Sequence, residues 1–92
     1  MFQIIFNKKV LKEDLVKIHR QQRVLIRNIL TKKLKKDPYL YGKPLRQSLR
    51  GARSLRIGNY RVVYQIQDKK VRVHVVAIGK RSNIYEIAKT RL

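Results

Sequence analysis

The alternation of apolar and polar side chains predicts a β-hairpin near the middle of the chain. Every second residue is apolar over 55–57 and again over 60–66, with Gly58-Asn59 between the two runs. A two-residue period on both sides of a Gly-X break is typical of a hairpin with a two-residue turn. In that register Arg56 lies directly opposite Arg61, on the face turned away from the apolar positions. Because like charges opposed on a sheet repel each other, we expect an anionic partner between them.

The rest of the apolar pattern predicts an α+β fold, β-α-α-β-β-β-α, in a single domain over residues 1–92. The run Phe2–Phe6 is interpreted as a buried strand, and Val71–Ile78 as a strand after the hairpin. Two amphipathic helices should pack as an antiparallel pair on one face of a mainly antiparallel sheet, and a short helix should end the chain. The positions expected to face the core are Leu11, Leu15 and Ile18 in the first helix, Leu25, Ile26, Ile29, Leu30 and Leu34 in the second, Tyr60 and Tyr64 in the hairpin, and Val71, Val73, Val75 and Ala77 in the last strand.

Residues 39–51 lose the periodic pattern and are rich in glycine and proline. Pro38 is expected to end the second helix, because proline cannot continue one. The stretch is therefore interpreted as a loop, with Leu45 and Leu49 tucked beneath it.

The net charge of the chain limits the possible partners more than any motif does. The chain carries 24 Lys and Arg against 5 Asp and Glu, a net charge of +19. So large an excess favours a polyanionic partner, nucleic acid first and an acidic protein second. No membrane partner is expected, because no amphipathic segment carries a strong aromatic or apolar anchor and no apolar run approaches the ~18 residues of a span. The absence of cysteine and of a secretory signal pattern favours the cytoplasm.

The basic residues fall into two groups. Those on the helices occupy the expected solvent face. Arg56, Arg61, Lys80 and Arg81 instead project from or just beyond strands, and with Tyr85 they could converge on one surface of the sheet. Guanidinium groups bind phosphate through paired hydrogen bonds, so this group is the candidate phosphate site.

Motifs for other chemistries are missing from the sequence. There is no Gly-rich phosphate loop, Ser/His/Asp set, zinc spacing or carboxylate cluster, so no metal site and no cofactor are expected. A nuclease of this composition would act on RNA, whose own 2′-OH can attack the adjacent phosphate. His74 is expected to face outward beside Arg72, either as a general acid–base group or as a partner contact.

Several segments in the second half of the sequence resemble a known family. The segments Gly42–Gly51, Arg53–Ile66 and Val75–Arg81, followed by Tyr85, resemble the RelE/ParE toxin superfamily. In its RelE branch the resemblance implies a ribosome-dependent endoribonuclease that cleaves mRNA in the ribosomal A site. It also implies neutralisation by a cognate acidic antitoxin, in a heterotetramer or larger complex.

The resemblance also assigns roles to individual residues. Arg56, Arg61, Arg81 and Tyr85 match the catalytic set. Arg61 and Arg81 would hold the scissile phosphate with help from Arg56, and Arg81 would also protonate the leaving 5′-oxygen. Tyr85 would either stack on the target base or act as general base. Further RNA contacts are expected from Lys80, Arg53, Ser54, Arg72 and His74.

This sequence departs from the RelE pattern at one position and leaves two alternatives open. The first member of a basic pair falls on Ser54, with Arg53 one position away and expected on the opposite face. The ParE branch shares the fold but poisons DNA gyrase, and it generally lacks the arginine and tyrosine set. A catalytically inactive protein that binds RNA or ribosomes is the third reading.

Overall fold

A five-stranded sheet forms the centre of the molecule. The computed structural model describes residues 1–80 and 82–92, and the strands follow the order β1-β5-β4-β3-β2. β1 runs parallel to β5, and the other neighbours are antiparallel. The expected α+β fold with a mainly antiparallel sheet is thus confirmed. The strands are β1 (Gln3–Phe6), β2 (Lys43–Pro44), β3 (Ala52–Ile57), β4 (Tyr60–Gln67) and β5 (Arg72–Gly79).

Short helical segments connect and cover the strands. None of the helices in the described ranges is long and apolar enough to cross a membrane. The first helical region combines a π-helical turn with a 3-10 turn, and α1 likewise continues into a π-helical turn. The helical elements are the turns Val10–Asp14 and Leu15–Lys17, α1 (Arg20–Ile29), the turn Leu30–Leu34, α2 (Pro38–Tyr41), the 3-10 turns Gln47–Leu49 and Asp68–Lys70, and α3 (Ile84–Arg91).

The stretch expected to be a loop contains two small elements, α2 and β2. Pro38 ends the preceding helix as predicted but also opens α2, where the Asp37 carboxylate accepts a hydrogen bond from the Leu40 N–H at 3.2 Å. Proline is well suited to a first helical turn, since its missing N–H is not needed there. Leu49 is buried and Leu45 packs beside it, as predicted.

The predicted hairpin is confirmed in full register. β3 and β4 pair so that Ile57 faces Tyr60 and Arg56 faces Arg61. Gly58 supplies a φ of 58°, a conformation that side chains with a Cβ adopt rarely.

Helices cover both faces of the sheet, whereas the sequence pattern predicted one covered face. The larger core lies between the sheet and the first two helical regions, and it includes Tyr60 and Tyr64, as predicted. A smaller core lies on the other face, where Ile84 and Ala88 of α3 pack on Val63. The prediction failed because α3 has only two fully buried apolar residues, too few for a periodic signal.

Two helical positions expected in the core are exposed. In the first helical region Val10, Asp14 and Ile18 are buried, and the side chain of Leu11 is 53% exposed. The π-helical turn, closed by the bond from the Leu15 N–H to the Val10 carbonyl, changes which residues share a face. In α1 Leu25 is 46% exposed, while Ile26, and Leu30 and Leu34 of the following π-helical turn, are buried as predicted.

The last strand also departs from simple alternation. Val63 pairs with Ala77 and Tyr64 with Val75, so Val76 is an extra residue in a β-bulge. The bulge moves Ala77 to the smaller core and places Ile78 on the face of Val75. The expected position of Val71 in the buried face is wrong, because this residue precedes β5 with a φ of 51° and is 46% exposed.

Candidate active site

The opposed arginines lie at the turn end of the hairpin, on the sheet face that carries α3. The Nε of Arg56 donates to the Gly58 carbonyl at 3.3 Å, and Nη1 of Arg61 donates to the Lys80 carbonyl at 3.2 Å. Each of these bonds uses one of the five N–H donors of a guanidinium group. Each arginine therefore keeps free N–H donors for an anion, while one backbone carbonyl fixes the direction of its guanidinium group.

Tyr85 approaches the same face from α3. Its hydroxyl lies 3.2 Å from Oγ of Ser54, and both residues are partly buried. Ser54 precedes Arg56 by two residues in β3, so their side chains leave the same face about 7 Å apart. The hydroxyl pair and the arginine pair thus form one continuous polar surface.

Lys80 directly follows β5, and its backbone meets this surface while its side chain lies over Tyr60, a residue of the larger core on the opposite face. Its ammonium group is 5.5 Å from the centroid of the buried Tyr60 ring, within the range of a cation–π contact. Its carbonyl accepts the hydrogen bond from Arg61. Arg81, the next predicted site residue, lies outside the described residues, so its role stays a prediction.

Arg53 is not brought to this surface. It points to the opposite face of β3, where Nη2 donates to the carbonyls of Tyr39 at 2.7 Å and Gly42 at 2.6 Å. These bonds fasten α2 to the edge of the sheet. The sequence placed Arg53 on the opposite face correctly, but gave no sign of its carbonyl partners.

His74 and Arg72 share the site's face but lie toward its far end. His74 pairs with Gln65, four residues along β4 from Arg61, or about 13 Å away. The histidine is half-buried rather than facing outward as expected, and burial lowers its pKa from the ordinary 6.5. Neither residue contacts the arginine pair. Their RNA contacts stay a prediction, at a distance from the candidate catalytic residues.

One polar cluster was missed entirely by reasoning from the sequence. Asp14, whose side chain is 6% exposed, accepts hydrogen bonds from Arg91, whose side chain is 4% exposed. A signal was present, since Asp14 lies four residues after Val10 and four before Ile18, inside the apolar stripe of a helix. A carboxylate in such a stripe needs a buried partner.

The remaining acidic side chains do not cluster into a metal site. Within residues 1–80 and 82–92 no group of three or more His, Asp or Glu side chains is arranged to hold a metal ion. The Tyr39 hydroxyl donates to the Asp68 carboxylate, and this bond raises the pKa of the tyrosine. Neither residue lies on the surface formed by the arginine and hydroxyl pairs.

Comparisons with known sequences point to one kind of protein. A family model described as the ParE toxin of the type II toxin–antitoxin system parDE matches residues 4–85. The toxin RelE of Mycobacterium tuberculosis is 47% identical over 51 residues, 55% of this chain and 53% of that protein. The toxin RelG of the same organism is 40% identical over 52 residues, 56% of this chain and 60% of the relative. The matched stretch thus spans little more than half the length of these curated relatives.

Solved structures extend the likeness over nearly the whole chain. The toxin–antitoxin complex RelBE2 from Mycobacterium tuberculosis contains a chain with a TM-score of 0.81 and 29% identity, covering 87% of this chain and 98% of that one. A double mutant of the E. coli toxin RelE in the free state gives a TM-score of 0.80 and 27% identity, covering 99% and 97%. The strand order and both helix layers described above therefore belong to a shared fold.

Proposed function

This chain belongs to the RelE/ParE superfamily of toxins of type II toxin–antitoxin systems, and we propose that it acts there as a metal-independent, ribosome-dependent endoribonuclease. Its substrate is mRNA in the ribosomal A site. The observation that carries the proposal is the polar surface on which the Ser54–Tyr85 hydroxyl pair adjoins Arg56 and Arg61. Hydroxyl and guanidinium groups without a carboxylate suit a reaction in which RNA supplies its own nucleophile.

The proposed step is an internal transesterification. The 2′-oxygen forms a bond to the adjacent phosphorus, the bond from phosphorus to the 5′-oxygen breaks, and the 2′-hydroxyl proton leaves as the 5′-oxygen gains one. The products are a 5′-hydroxyl and a 2′,3′-cyclic phosphate, or the 3′-phosphate that forms when water opens the cyclic ester. Arg61 and Arg81 hold the phosphate and stabilise the charge that develops on its oxygens, with Arg56 assisting.

Tyr85 has two roles open to it in this step. It can accept the 2′-hydroxyl proton, or its ring can stack on the target base. The bond to Ser54 supports the first role because it fixes the direction of the hydroxyl. A Tyr85→Phe variant separates the roles, since phenylalanine stacks as well as tyrosine but cannot transfer a proton.

A cognate acidic antitoxin is the proposed partner outside the ribosome, in a heterotetramer or larger complex. Two relatives of this fold were solved as toxin–antitoxin complexes or with an antitoxin peptide. The net charge of +19 on this chain suits an acidic polypeptide as well as RNA.

The deciding experiment maps 5′ ends on a defined mRNA translated by purified ribosomes with the protein added. We expect cleavage at A-site codons, abolished by Arg61→Ala and by Arg81→Ala and reduced by Tyr85→Phe. Arg27→Ala is the matched control, because it removes an exposed arginine from α1, which covers the other face of the sheet. Intact mRNA after incubation with the wild-type protein would show that the proposal is wrong.

A gyrase-directed toxin is the second candidate. It is favoured by one observation, the match of residues 4–85 to the ParE family model. Inhibition of DNA supercoiling by purified gyrase, together with intact mRNA in the translation reaction, would establish it. Ribosome binding without either activity would indicate an inactive relative of the ribonucleases.

A further inference from the structure

The C-terminal helix is fastened to the rest of the molecule by a buried ion pair. Nη1 of Arg91 donates to Oδ2 of Asp14 at 2.7 Å, and Nη2 donates to Oδ1 at 3.0 Å. Glu13 adds a longer contact of 3.8 Å from its exposed carboxylate. The paired geometry fixes both the direction and the distance of the guanidinium group, so it sets where the last turn of α3 lies.

The ion pair also completes a part of the sheet edge that no strand covers. β1 ends at Phe6, opposite Val75, and β5 continues beyond it to Gly79. There the Val76 carbonyl accepts from Nη1 of Arg91 at 3.0 Å, and the Ile78 N–H donates to Asp14 at 2.9 Å. Backbone groups buried without partners cost free energy, so the two side chains replace the hydrogen bonds of a missing strand.

Apart from this ion pair, helix α3 is held by apolar packing in the smaller core and by the Ser54–Tyr85 contact. It is eight residues long, and isolated helices below ~12–15 residues are marginal in water. Its fully buried residues are Ile84 and Ala88. At its start Ile84 packs against Gly79, where a Cβ would lie 3.0 Å from Cδ1 of the isoleucine. Apolar contacts of this kind resist sliding and rotation less than a directional fork does.

The position of α3 matters because Tyr85 lies in its first turn. The Ser54–Tyr85 contact at 3.2 Å depends on how the helix is placed on the sheet. We propose that Asp14 and Arg91 form a clamp that holds α3 against β5 and thereby positions Tyr85 over the candidate active site. Both are positioning residues, since neither touches the polar surface itself. The consequence for catalysis rests on the proposed ribonuclease function, whereas the consequence for helix docking does not.

The test compares two arginine variants with a matched control. Arg91→Met removes the fork but keeps much of the side-chain volume, and Arg91→Lys keeps the charge without the paired geometry. Lys89→Met is the control, because it removes an exposed cation from the same helix, where Lys89 pairs with Glu86 at 3.2 Å. A double variant, Asp14→Asn with Arg91→Met, avoids a stranded carboxylate and still lets residue 14 accept from the Ile78 N–H.

Three measurements on the chain of residues 1–92 decide the outcome. Amide exchange in residues 84–91 should accelerate roughly tenfold or more in Arg91→Met and in the double variant, while β4 stays protected. Ring resonances of Tyr85 should shift in the same variants. In the ribosome assay kcat should fall about 10–100-fold with little change in KM, because a misplaced catalytic group weakens the reaction more than binding. Arg91→Lys should recover part of each effect, and Lys89→Met should resemble the wild type.

The contrary results are equally distinct. Unchanged exchange and unchanged Tyr85 resonances in Arg91→Met and the double variant would overturn the clamp. Accelerated exchange with an unchanged kcat, or a rise in KM alone, would overturn its role in positioning Tyr85. If the wild-type protein cleaves no mRNA, the ribonuclease proposal fails, while exchange and resonances still decide whether the clamp holds the helix.

Discussion

At the scale of single residues, local periodicity predicted the arginine pair but not the contact between the two hydroxyl groups beside it. Arg56 and Arg61 are set opposite each other by a two-residue turn, and such a register can be read from five or six residues of sequence. The contact between Ser54 and Tyr85 joins positions 31 residues apart. It depends on the docking of α3, for which the sequence carries no short-range signal.

Ser54→Ala should slow mRNA cleavage without impairing ribosome binding. The substitution removes the partner of the Tyr85 hydroxyl, and a hydrogen bond of this kind contributes about 0.5–1.5 kcal/mol. Because the bond holds the Tyr85 hydroxyl in place for proton transfer, its loss should raise the transition-state barrier by up to that energy and lower kcat by roughly 2- to 12-fold. Single-turnover cleavage checks this, with Ser48→Ala, an exposed serine, as the control. Equal rates in both variants would count against a role for the hydroxyl pair.

His74 should make the fold less stable in mild acid. Burial lowers its pKa below the ordinary 6.5, so just below pH 6.5 the unfolded chain binds more protons than the folded one. The free energy of unfolding therefore rises with pH in this window. The contribution of His74 to it is fully present above pH 6.5 and is lost as the pH falls toward the folded pKa.

Urea unfolding at pH 7.5 and 5.5 measures the effect of His74. His74→Gln should lose less stability between the two pH values than the wild type, and His19→Gln, an exposed histidine, should lose as much as the wild type. If His74→Gln loses as much stability between the two pH values as the wild type, another group causes the acid sensitivity.

At the scale of elements, the wrong core-face predictions for Leu11 and Ala77 lie where regular geometry is interrupted. The π-helical turn Val10–Asp14 and the bulge at Val76 each shift the face on which later residues fall. Periodicity assumes a constant residue spacing, so it fails at such insertions. Both interruptions serve the same contact, because they bring Asp14, Val76 and Ile78 to the position where Arg91 binds. The sequence therefore predicts the regular parts of the fold and misses the parts that hold α3.

Gly42→Ala should destabilise the contact between α2 and the sheet. A Cβ at this position would lie 2.0 Å from the hydroxyl oxygen of Tyr64, whose side chain is fully buried and donates to the Pro38 carbonyl at 2.7 Å. Forced repacking of this kind costs about 1–3 kcal/mol. Urea unfolding should show that loss.

A double-mutant cycle tests the cause of the Gly42→Ala loss. Tyr64→Phe removes the hydroxyl and its hydrogen bond, so combining it with Gly42→Ala relieves the closest clash. The double variant should lose less stability than the sum of the single variants, by about 0.5 kcal/mol or more. Strict additivity would mean that the strain at residue 42 arises from something other than the tyrosine hydroxyl.

At the scale of the whole molecule, the few acidic residues are all engaged in internal contacts. Glu13 and Asp14 meet Arg91, Glu86 meets Lys89, Asp37 caps α2, and Asp68 accepts from Tyr39. The salt bridges among the described residues thus involve two cations, Lys89 and Arg91, out of the 24 in the chain. Most of the positive charge is therefore left without an internal carboxylate partner, which favours the proposed binding of a polyanion.

This excess positive charge predicts steep salt dependence for ribosome binding. Each phosphate neutralised releases counterions, so the slope of log K against log salt should be about −0.7 to −0.9 per contact. Replacing three exposed lysines just before and within the first helical region, Lys8, Lys9 and Lys12, by Gln should make the slope shallower by up to about 2–3 units. The cleavage rate of mRNA already bound should not change, because these lysines lie on the other side of the sheet from Tyr85. Binding titrations from 50 to 300 mM KCl measure the slope, and single-turnover cleavage measures the rate. A binding constant that does not change with salt would contradict the electrostatic attraction. A slower cleavage of bound mRNA in the triple variant would show that these lysines also take part in the reaction.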